Sequence, residues 1–262
     1  MLSCLLCGCG KQQDVIPPQA DKLRILSLVT CADHIITELG AKDKIIAIDR
    51  HGKVLDSMQN VPVAAAGSTV SREFLKKHRI NCAVVWYYQI GLQELLRKEK
   101  IYTIVIKPIT PGNYPETVRT LGRLCNKKEQ AERLIADFKK QIDAVPAAAA
   151  RKSVYFELYA PWKTPAQSGY ISLMVQQAGG YFAAAAPHGG TVSPEAVCTA
   201  LPEVIFYVEN FGDPGEIASR PALRNTPAVK NNRIYAVPRQ LACEGVDPEN
   251  LLKFLSRKLK DI

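Results

Sequence analysis

Residues 126–146 read NKKEQAERLIADFKKQIDAVP. Asn126 with Glu129 three positions later has the form of a capping box, a sequence mark of a helix start. Beyond it Ala131, Leu134, Ile135, Phe138, Ile142 and Val145 recur at spacings of three and four, which puts them in one apolar stripe. The pattern predicts a helix of about 20 residues, roughly 30 Å long. Pro146 ends it, because proline cannot continue the hydrogen-bond ladder. Just upstream, Asn113 and Glu116 flank Pro115 as another helix start. A long helix here acts as a strut between whatever lies on its two sides.

Both sides alternate strands and helices. Short runs rich in branched residues predict strands at Arg24 to Val29, Lys44 to Ile48, Cys82 to Trp86, Tyr102 to Ile106, Ser153 to Leu158, Val204 to Val208 and Arg233 to Val237. Helical patterns fall between or after them at Ala32 to Leu39, Arg72 to His78, Leu92 to Lys98, Tyr170 to Gln177, Glu195 to Ala200 and Pro248 to Leu259. Alternation of this kind means an α/β architecture with largely parallel sheets and right-handed crossovers. The two sides also share a phrase: GSTVSREFLKKHRINCAVV from Gly67 and GGTVSPEAVCTALPEVIFY from Gly189 both write Thr-Val-Ser-x-Glu before a short helix and a strand. Ser71 and Ser193, like Glu73 and Glu195, stand 122 residues apart. That period is too long for a solenoid repeat, which runs at about 20 to 50 residues. It suits two lobes of similar build. The expected division is residues 21–110 for the first lobe, 111–150 for linking helices and 151–262 for the second lobe.

Composition sets the outer limits. The chain has 262 residues, 47% of them hydrophobic and 23% charged, which is a folded globular profile. Lys and Arg outnumber Asp and Glu by 34 to 25, a net charge of +9. The cations are scattered over what read as solvated helix faces, among them Lys76, Lys77, Lys127, Lys128, Arg257 and Lys258. No nucleic-acid module accompanies them. No stretch reaches the roughly 18 to 20 apolar residues that span a bilayer. The N-terminus, MLSCLLCGCG followed by KQQDVIPPQA, reads as an apolar segment and a polar tether, and Leu6-Cys7-Gly8-Cys9 resembles a bacterial lipobox. Residues 1–20 are thus expected to be a truncated lipoprotein signal and tether, with Cys9 the lipidated residue; the basic segment of a full signal is missing. A metal site built on Cys4, Cys7 and Cys9 would need partner cysteines that the sequence does not place nearby. Cys31, Cys82, Cys125, Cys198 and Cys243 are odd in number and contain no CxxC pair, so no disulfide framework is indicated. Cys82 and Cys198 read as small core residues. Cys31 and Cys243 lie near strand ends, where packing is the simpler reading.

The order of these segments resembles the class III periplasmic binding proteins, the substrate-binding components of ABC importers for ferric siderophores, haem and vitamin B12. RILSLVTCADHIITELGAKDKIIAID is similar to that family's opening strand-helix-strand, and GYISLMVQQAGGYF to its glycine-ended helix. TVSPEAVCTALPEVIFY is similar to its Ser-x-Glu segment, with Glu203 where Asp is usual, and NTPAVKNNRIYAVP to its closing strand. The resemblance covers about Leu23 to Ile262. It implies two Rossmann-like α/β lobes joined by a long rigid backbone helix, with a ligand cleft between the lobes. It also implies an extracytoplasmic protein, in the periplasm or lipid-anchored on the outer face of the cytoplasmic membrane. Such a protein has no catalytic residues and no intrinsic cofactor; its cargo is a metal chelate, meaning a ferric siderophore, haem or a corrinoid, and its partner is an ABC permease dimer with its ATPase. In related proteins one surface glutamate per lobe meets an arginine pocket on each permease subunit. Glu73 and Glu195 are the matching residues, although Ser71 and Ser193 as helix caps would account for either segment alone.

In open α/β sheets ligands bind beyond the carboxyl ends of the strands. Those ends offer Arg50, His51, Tyr87, Tyr88, Tyr159, Trp162, Glu209 and Arg239 as ligand-binding candidates. Aromatic faces with a few cations suit a large, flat or anionic chelate, since rings supply apolar area and arginine pairs with carboxylates. Trp86 reads as core rather than contact. Tyr87 and Tyr88 would point to opposite faces if the strand continued through them. His51 reads either as a solvated loop residue or as an iron ligand. An α/β enzyme acting on a small anionic metabolite is the rival reading, but the chain has no GxxxxGK[ST] loop, strand-linked GxGxxG, GxSxG elbow or HExxH. Four histidines without a ligand-spaced pair argue against a zinc or manganese receptor. A ligand-sensing receptor domain that docks to something other than a permease is the third possibility.

Overall fold

The computed structural model describes residues 15–65, 69–144, 151–184 and 186–260. The first block forms β1 (Ile25–Ser27), α1 (Thr30–Glu38), β2 (Ile45–Asp49), β3 (Val63–Ala65), α2 (Arg72–Lys77), β4 (Cys82–Trp86), α3 (Ile90–Lys98) and β5 (Tyr102–Ile106). Its five strands are parallel in the order β3-β2-β1-β4-β5. Alternation along the strands divides their side chains between two apolar layers. Ile25, Ile48, Cys82 and Val84 face one, while Leu26, Ala47, Ala83 and Val85 face the other.

Two helices follow, α4 (Tyr114–Leu124) and α5 (Lys128–Asp143). They form a hairpin, and this corrects the expectation of one rod of about 20 residues. α5 has 16 residues, about 24 Å at helical rise. Its N-cap is Lys127, with no side-chain cap, because Asn126 turns left-handed (φ 55°) to close the hairpin. The Asn113 side chain does not cap α4 either: its Oδ1 accepts from the Thr110 N–H at 2.8 Å and its amide donates to the Pro108 carbonyl at 2.8 Å. The expected stripe is the packing face, with Ala131 and Phe138 buried and Leu134, Ile135 and Ile142 partly so. Val145 and Pro146 lie outside the described residues. The hairpin closes tightly at Gly122, where a Cβ would stand 2.6 Å from that of Ala131.

The second block contains β6 (Lys152–Glu157), β7 (Lys163–Thr164), α6 (Tyr170–Gln177), β8 (Gly180–Phe182), β9 (Gly190–Thr191), α7 (Pro194–Ala200), β10 (Val204–Val208), α8 (Pro214–Ser219), α9 (Pro227–Lys230), β11 (Ile234–Val237) and α10 (Pro248–Lys260). Four strands make a parallel sheet, β11-β10-β6-β8, and β7 pairs with β9 in a small antiparallel ribbon. Glu203, at the position where the resemblance expected Asp, pins the start of this sheet. Its Oε2 accepts from the Ser153 N–H at 2.9 Å, and its own N–H donates to the Ser153 carbonyl at 2.9 Å.

The hairpin does more than link the sheets. The largest apolar core runs without a break from Ile25, Ile48 and Val84 through Tyr114, Leu121 and Phe138 to Phe156, Phe206 and Leu255. At its centre Tyr114 and Phe138 stack at 3.8 Å between centroids, inclined by 18°, with both side chains buried. Phe138→Ala is expected to lower the stability of the whole chain by about 3 to 5 kcal/mol, the cost of a large buried cavity. Urea unfolding followed by fluorescence would check this, and a loss below about 1 kcal/mol would mean that the hairpin contact is dispensable.

Candidate functional site

Strand order fixes where a crevice can form. In the first sheet the chain leaves β1 toward β2 on one side and returns to β4 on the other; in the second it leaves β6 toward β8 and returns to β10. The loops after these strands diverge at such reversals, opening a crevice beyond the strand ends. The residues delivered there are Trp86, Tyr87 and Tyr88 after β4, Tyr159 after β6, and Phe211 after β10.

On the first lobe, Asp49 ends β2 and its Oδ1 accepts from the Gly52 N–H at 3.0 Å, shaping the turn that carries Arg50 and His51. Gly52 is required there because a Cβ would meet Asp33 Oδ2 at 2.7 Å. Lys53 ties the rest of the loop by donating to the carbonyls of Met58, Gln59 and Val61. After β4 the backbone turns, held by Gln89 Oε1 accepting from the Trp86 N–H at 2.8 Å and by Gln93 Nε2 donating to the Trp86 and Tyr87 carbonyls. The strand therefore stops at Trp86, and Tyr87 and Tyr88 do not take opposite faces of it as a continued strand would require. Both are exposed, edge to face at 5.4 Å, and Tyr88 lies nearly parallel to Trp86 at 6.2 Å.

The opposite wall belongs to the second lobe. Tyr159 packs edge-on against Phe211 at 5.0 Å, and the Arg239 guanidinium lies over the Phe211 ring at 5.2 Å. Arg239 Nη2 then crosses between lobes to His51 Nδ1 at 3.2 Å. Deeper, Glu244 Oε2 accepts from the Ile109 N–H at 2.9 Å, a second crossing between lobes. Burial pushes the Glu244 carboxyl up to about 7, opposed by that N–H. Asp49 is also raised by burial, against the Gly52 N–H and the charges of His51 and Arg239. Burial raises the Tyr88 phenol, with the negative charges of Asp49 and Glu244 adding to it, and raises the Tyr159 phenol beside Cys243 and Glu244. The result is a cluster across the two lobes in which exposed tyrosine rings, an arginine and a histidine stand around a carboxyl that is half-buried.

His51, Tyr88, Tyr159 and Arg239 are thus brought together, with Arg50 and Tyr87 exposed beside them. Glu209 is exposed after β10, and its charge acts on Tyr207, whose side chain belongs to the outer layer of the second sheet. Trp162 joins that outer layer too, packing with Tyr155 at 6.2 Å and under the Arg220 guanidinium at 4.9 Å, not with the Arg239 group. Cys31 and Cys82 are buried, whereas Cys198 is only half-buried on α7 and is not the core residue expected. Glu244 escaped the strand-end rule because it sits in the loop between β11 and α10, where no sequence signal marks it. Among the described residues no three His, Cys, Asp or Glu side chains gather as a metal site, and no helix is long and apolar enough to cross a membrane.

The repeated phrase builds the same local structure twice. Ser71 Oγ accepts from the Phe74 N–H and Ser193 Oγ from the Ala196 N–H, each at 3.1 Å, so both serines cap their helices. Glu73 and Glu195 stand in the first turns, both exposed. Cys9 lies outside the described residues.

Comparison with known proteins agrees with this architecture. A family model described as periplasmic binding protein matches residues 25–241. No curated protein matches the chain. Among solved structures, the apo periplasmic haem-binding protein RhuT from Roseiflexus sp. RS-1 is similar at a TM-score of 0.81 and 20% identity, over 91% of this chain and 98% of that one. The periplasmic haem-binding protein HutB of Vibrio cholerae gives 0.78 and 18%, over 90% and 98%. Helicobacter pylori CeuE with Ni(II) bound gives 0.77 and 16%, over 90% and 82%.

The buried carboxyl makes a prediction of its own. Folded, Glu244 titrates at about 7; unfolded, it returns to 4.5. Between those values the unfolded chain gives up its proton first, so the contribution to stability is full at pH 4.5 and falls as pH rises to 7, by about 3 kcal/mol. Glu244→Gln keeps an acceptor for Ile109 and does not ionise. It is expected to match the wild type near pH 4.5 and to exceed it by about 3 kcal/mol at pH 8. Urea melts at the two pH values check it, and parallel pH profiles for the two proteins would exclude a raised Glu244.

Proposed function

The chain belongs to the periplasmic binding protein family, and on that premise we propose that it captures a flat, anionic metal chelate of the haem class and delivers it to an ABC importer. The observation that carries this reading is the cross-lobe group of Tyr88, Tyr159, His51 and Arg239, with Phe211 beneath the guanidinium. A tetrapyrrole offers two apolar faces and carboxylates at one edge. Trp86, Tyr88, Tyr159 and Phe211 supply rings of matching area, and Arg239 with Arg50 supplies cations for the carboxylates. The cargo's ferric ion would draw a phenol oxygen, and Tyr88 and Tyr159 are the exposed phenols of this group; each is protonated near neutrality, so coordination would release a proton. With Nδ1 accepting from Arg239, the neutral His51 ring carries its proton on Nε2, which makes it a hydrogen-bond donor to a carboxylate of the cargo. Two of the similar structures are named haem-binding proteins, which supports haem over a siderophore or corrinoid.

In this reading the chain performs no chemistry on its cargo. It works outside the cytoplasmic membrane, tethered through Cys9, and meets the two permease subunits through Glu73 and Glu195. Their equivalent positions on two lobes suit a two-subunit receptor.

The test is titration of the purified protein with hemin, cobalamin and a ferric siderophore, followed by absorption. Hemin is expected to give a saturable Soret shift at one equivalent. Tyr88→Phe and Tyr159→Phe should change the ligand-field bands, and Arg239→Ala should weaken binding about 10- to 100-fold, the size of one charge-assisted hydrogen bond. Saturable binding of cobalamin or siderophore alone would move the cargo assignment. Binding of none, with turnover of a small anionic metabolite, would replace it with an enzyme.

A further inference from the structure

The cations that read as scattered along the sequence are gathered by the topology. In a parallel sheet every strand starts at the same edge, and the turns before β1, β2, β4 and β5 lie there with the α4–α5 turn beside them. Residues 20–24, 35–44, 74–81, 95–101 and 121–129 form these turns and the helix ends that enter them, and they hold thirteen Lys and Arg against five Asp and Glu. Most of the chain's net charge of +9 therefore sits at one edge of the first lobe. Lys42, Lys77, Arg79, Lys98, Lys100 and Arg123 are all exposed there. Of the carboxylates, Asp43 pairs with Lys44 at 2.9 Å and Glu99 with Arg72 at 3.1 Å. The helix dipole accounts for cations in the last turns of α2 and α3, but not for Lys42, Arg79 and Lys100, which lie outside them.

The turns are tied into one surface. The Arg24 N–H donates to Asn81 Oδ1 at 2.9 Å, Arg24 Nε to the His78 carbonyl at 2.7 Å and Asn81 Nδ2 to the Lys22 carbonyl at 2.7 Å, which fixes the approach to β1 on the turn before β4. On the other side the charges of Asp43, Lys127 and Lys44 act on Cys125, so the α1–β2 turn stands against the hairpin turn. The chain enters at the same edge: Pro17, Pro18 and Asp21 line one recess with Arg123, Leu124 and Asn126. Cys9 stands six residues before Val15, and full extension takes it at most about 20 Å from there.

We infer that this basic edge of the first lobe rests on an anionic phospholipid surface, with the cargo-binding group held on the side away from it. The inference rests on the tether proposed at Cys9 for the distance, and adds to it the face that meets the bilayer. Cationic side chains gain from an anionic bilayer only within about a Debye length, roughly 8 Å at physiological ionic strength, and a leash of this reach brings the edge into that range. His51, Tyr88, Tyr159 and Arg239 follow the opposite ends of the sheet strands, so cargo reaches them from the open side. Nucleic acid offers the same phosphate charge, but no tether would bring it to this edge.

The experiment sediments the full chain carrying Cys9→Ser, so that no lipid holds it, with vesicles of equal parts phosphatidylglycerol and phosphatidylcholine or of phosphatidylcholine alone. Binding to the anionic vesicles is expected to be at least about tenfold tighter and to vanish at high salt. Lys77→Glu/Arg79→Glu/Lys100→Glu should weaken it at least about tenfold. Lys107→Glu/Lys139→Glu/Lys140→Glu makes the same change of charge at exposed positions away from the edge and should weaken it less than about threefold. Both triple variants should keep their hemin affinity within twofold, which shows that they fold. Equal binding to the two kinds of vesicle, or equal loss in the two triple variants, would overturn the membrane face. Tighter binding to a short DNA duplex than to the anionic vesicles would overturn it in favour of nucleic acid. The mass of wild-type chain extracted from membranes reads the tether separately. An unmodified Cys9 with edge-dependent vesicle binding would overturn the tether and keep the face, and a lipidated Cys9 without such binding would do the reverse.

Discussion

The stacked contact of Tyr114 on Phe138 is where the two halves of the molecule become one body. The α4–α5 hairpin packs on a helix from each half, α4 against α1 and α5 against α10, so that one apolar core runs through both sheets. Burial of this kind is non-directional and large, so it sets the spacing of the sheets, and the directional contacts adjust to it. Tight packing at Gly122 and Ala131 leaves the hairpin little freedom to bend. With the sheets so held, the strand-end loops of the two lobes face each other where open α/β sheets form a crevice.

The polar contacts across that crevice are consistent with a preset gap. Ile109 to Glu244 is the more sheltered pair and Arg239 to His51 the exposed one. A sheltered hydrogen bond carries a penalty if broken, because it strands a buried group. An exposed one exchanges readily with water or with a ligand's oxygen. The exposed pair can therefore rearrange around cargo while the sheltered one stays closed, which suits small adjustments of the lobes more than wide hinge motion.

Much of this was legible in the sequence where apolar runs were continuous and sharply bounded. β4, β5, β10 and α6 have the predicted ends, because branched residues in the strands and an amphipathic stripe in the helix leave no rival register. The three-residue strands β3 and β8 were missed: Val63–Ala65 and Gly180–Phe182 are too short to show a period, and their pairing is decided by neighbours distant in the chain. The Asn126 cap failed for a physical reason, since the same residue is a preferred left-handed turn former and the hairpin needed the turn. The strand-end rule named His51, Tyr88, Tyr159 and Arg239, and the fold brings these four near one another because topology fixes strand ends. Trp162 is set apart from them, because β6 leads into a reversing ribbon that returns the indole to the outer layer, and Glu244 has no periodic mark because it lies in a loop.

The free thiols of the core have a consequence for how the chain meets oxidants. Burial raises the pKa of Cys31, Cys82, Cys125 and Cys243, with Cys125 and Cys243 at about 11, so near neutrality they remain in the unreactive protonated form. The thiolate is the form that attacks a disulfide or an oxidant. These sulfurs are consequently poor nucleophiles in the folded chain, and a crosslink through the three buried ones, Cys31, Cys82 and Cys125, would first need the core to open.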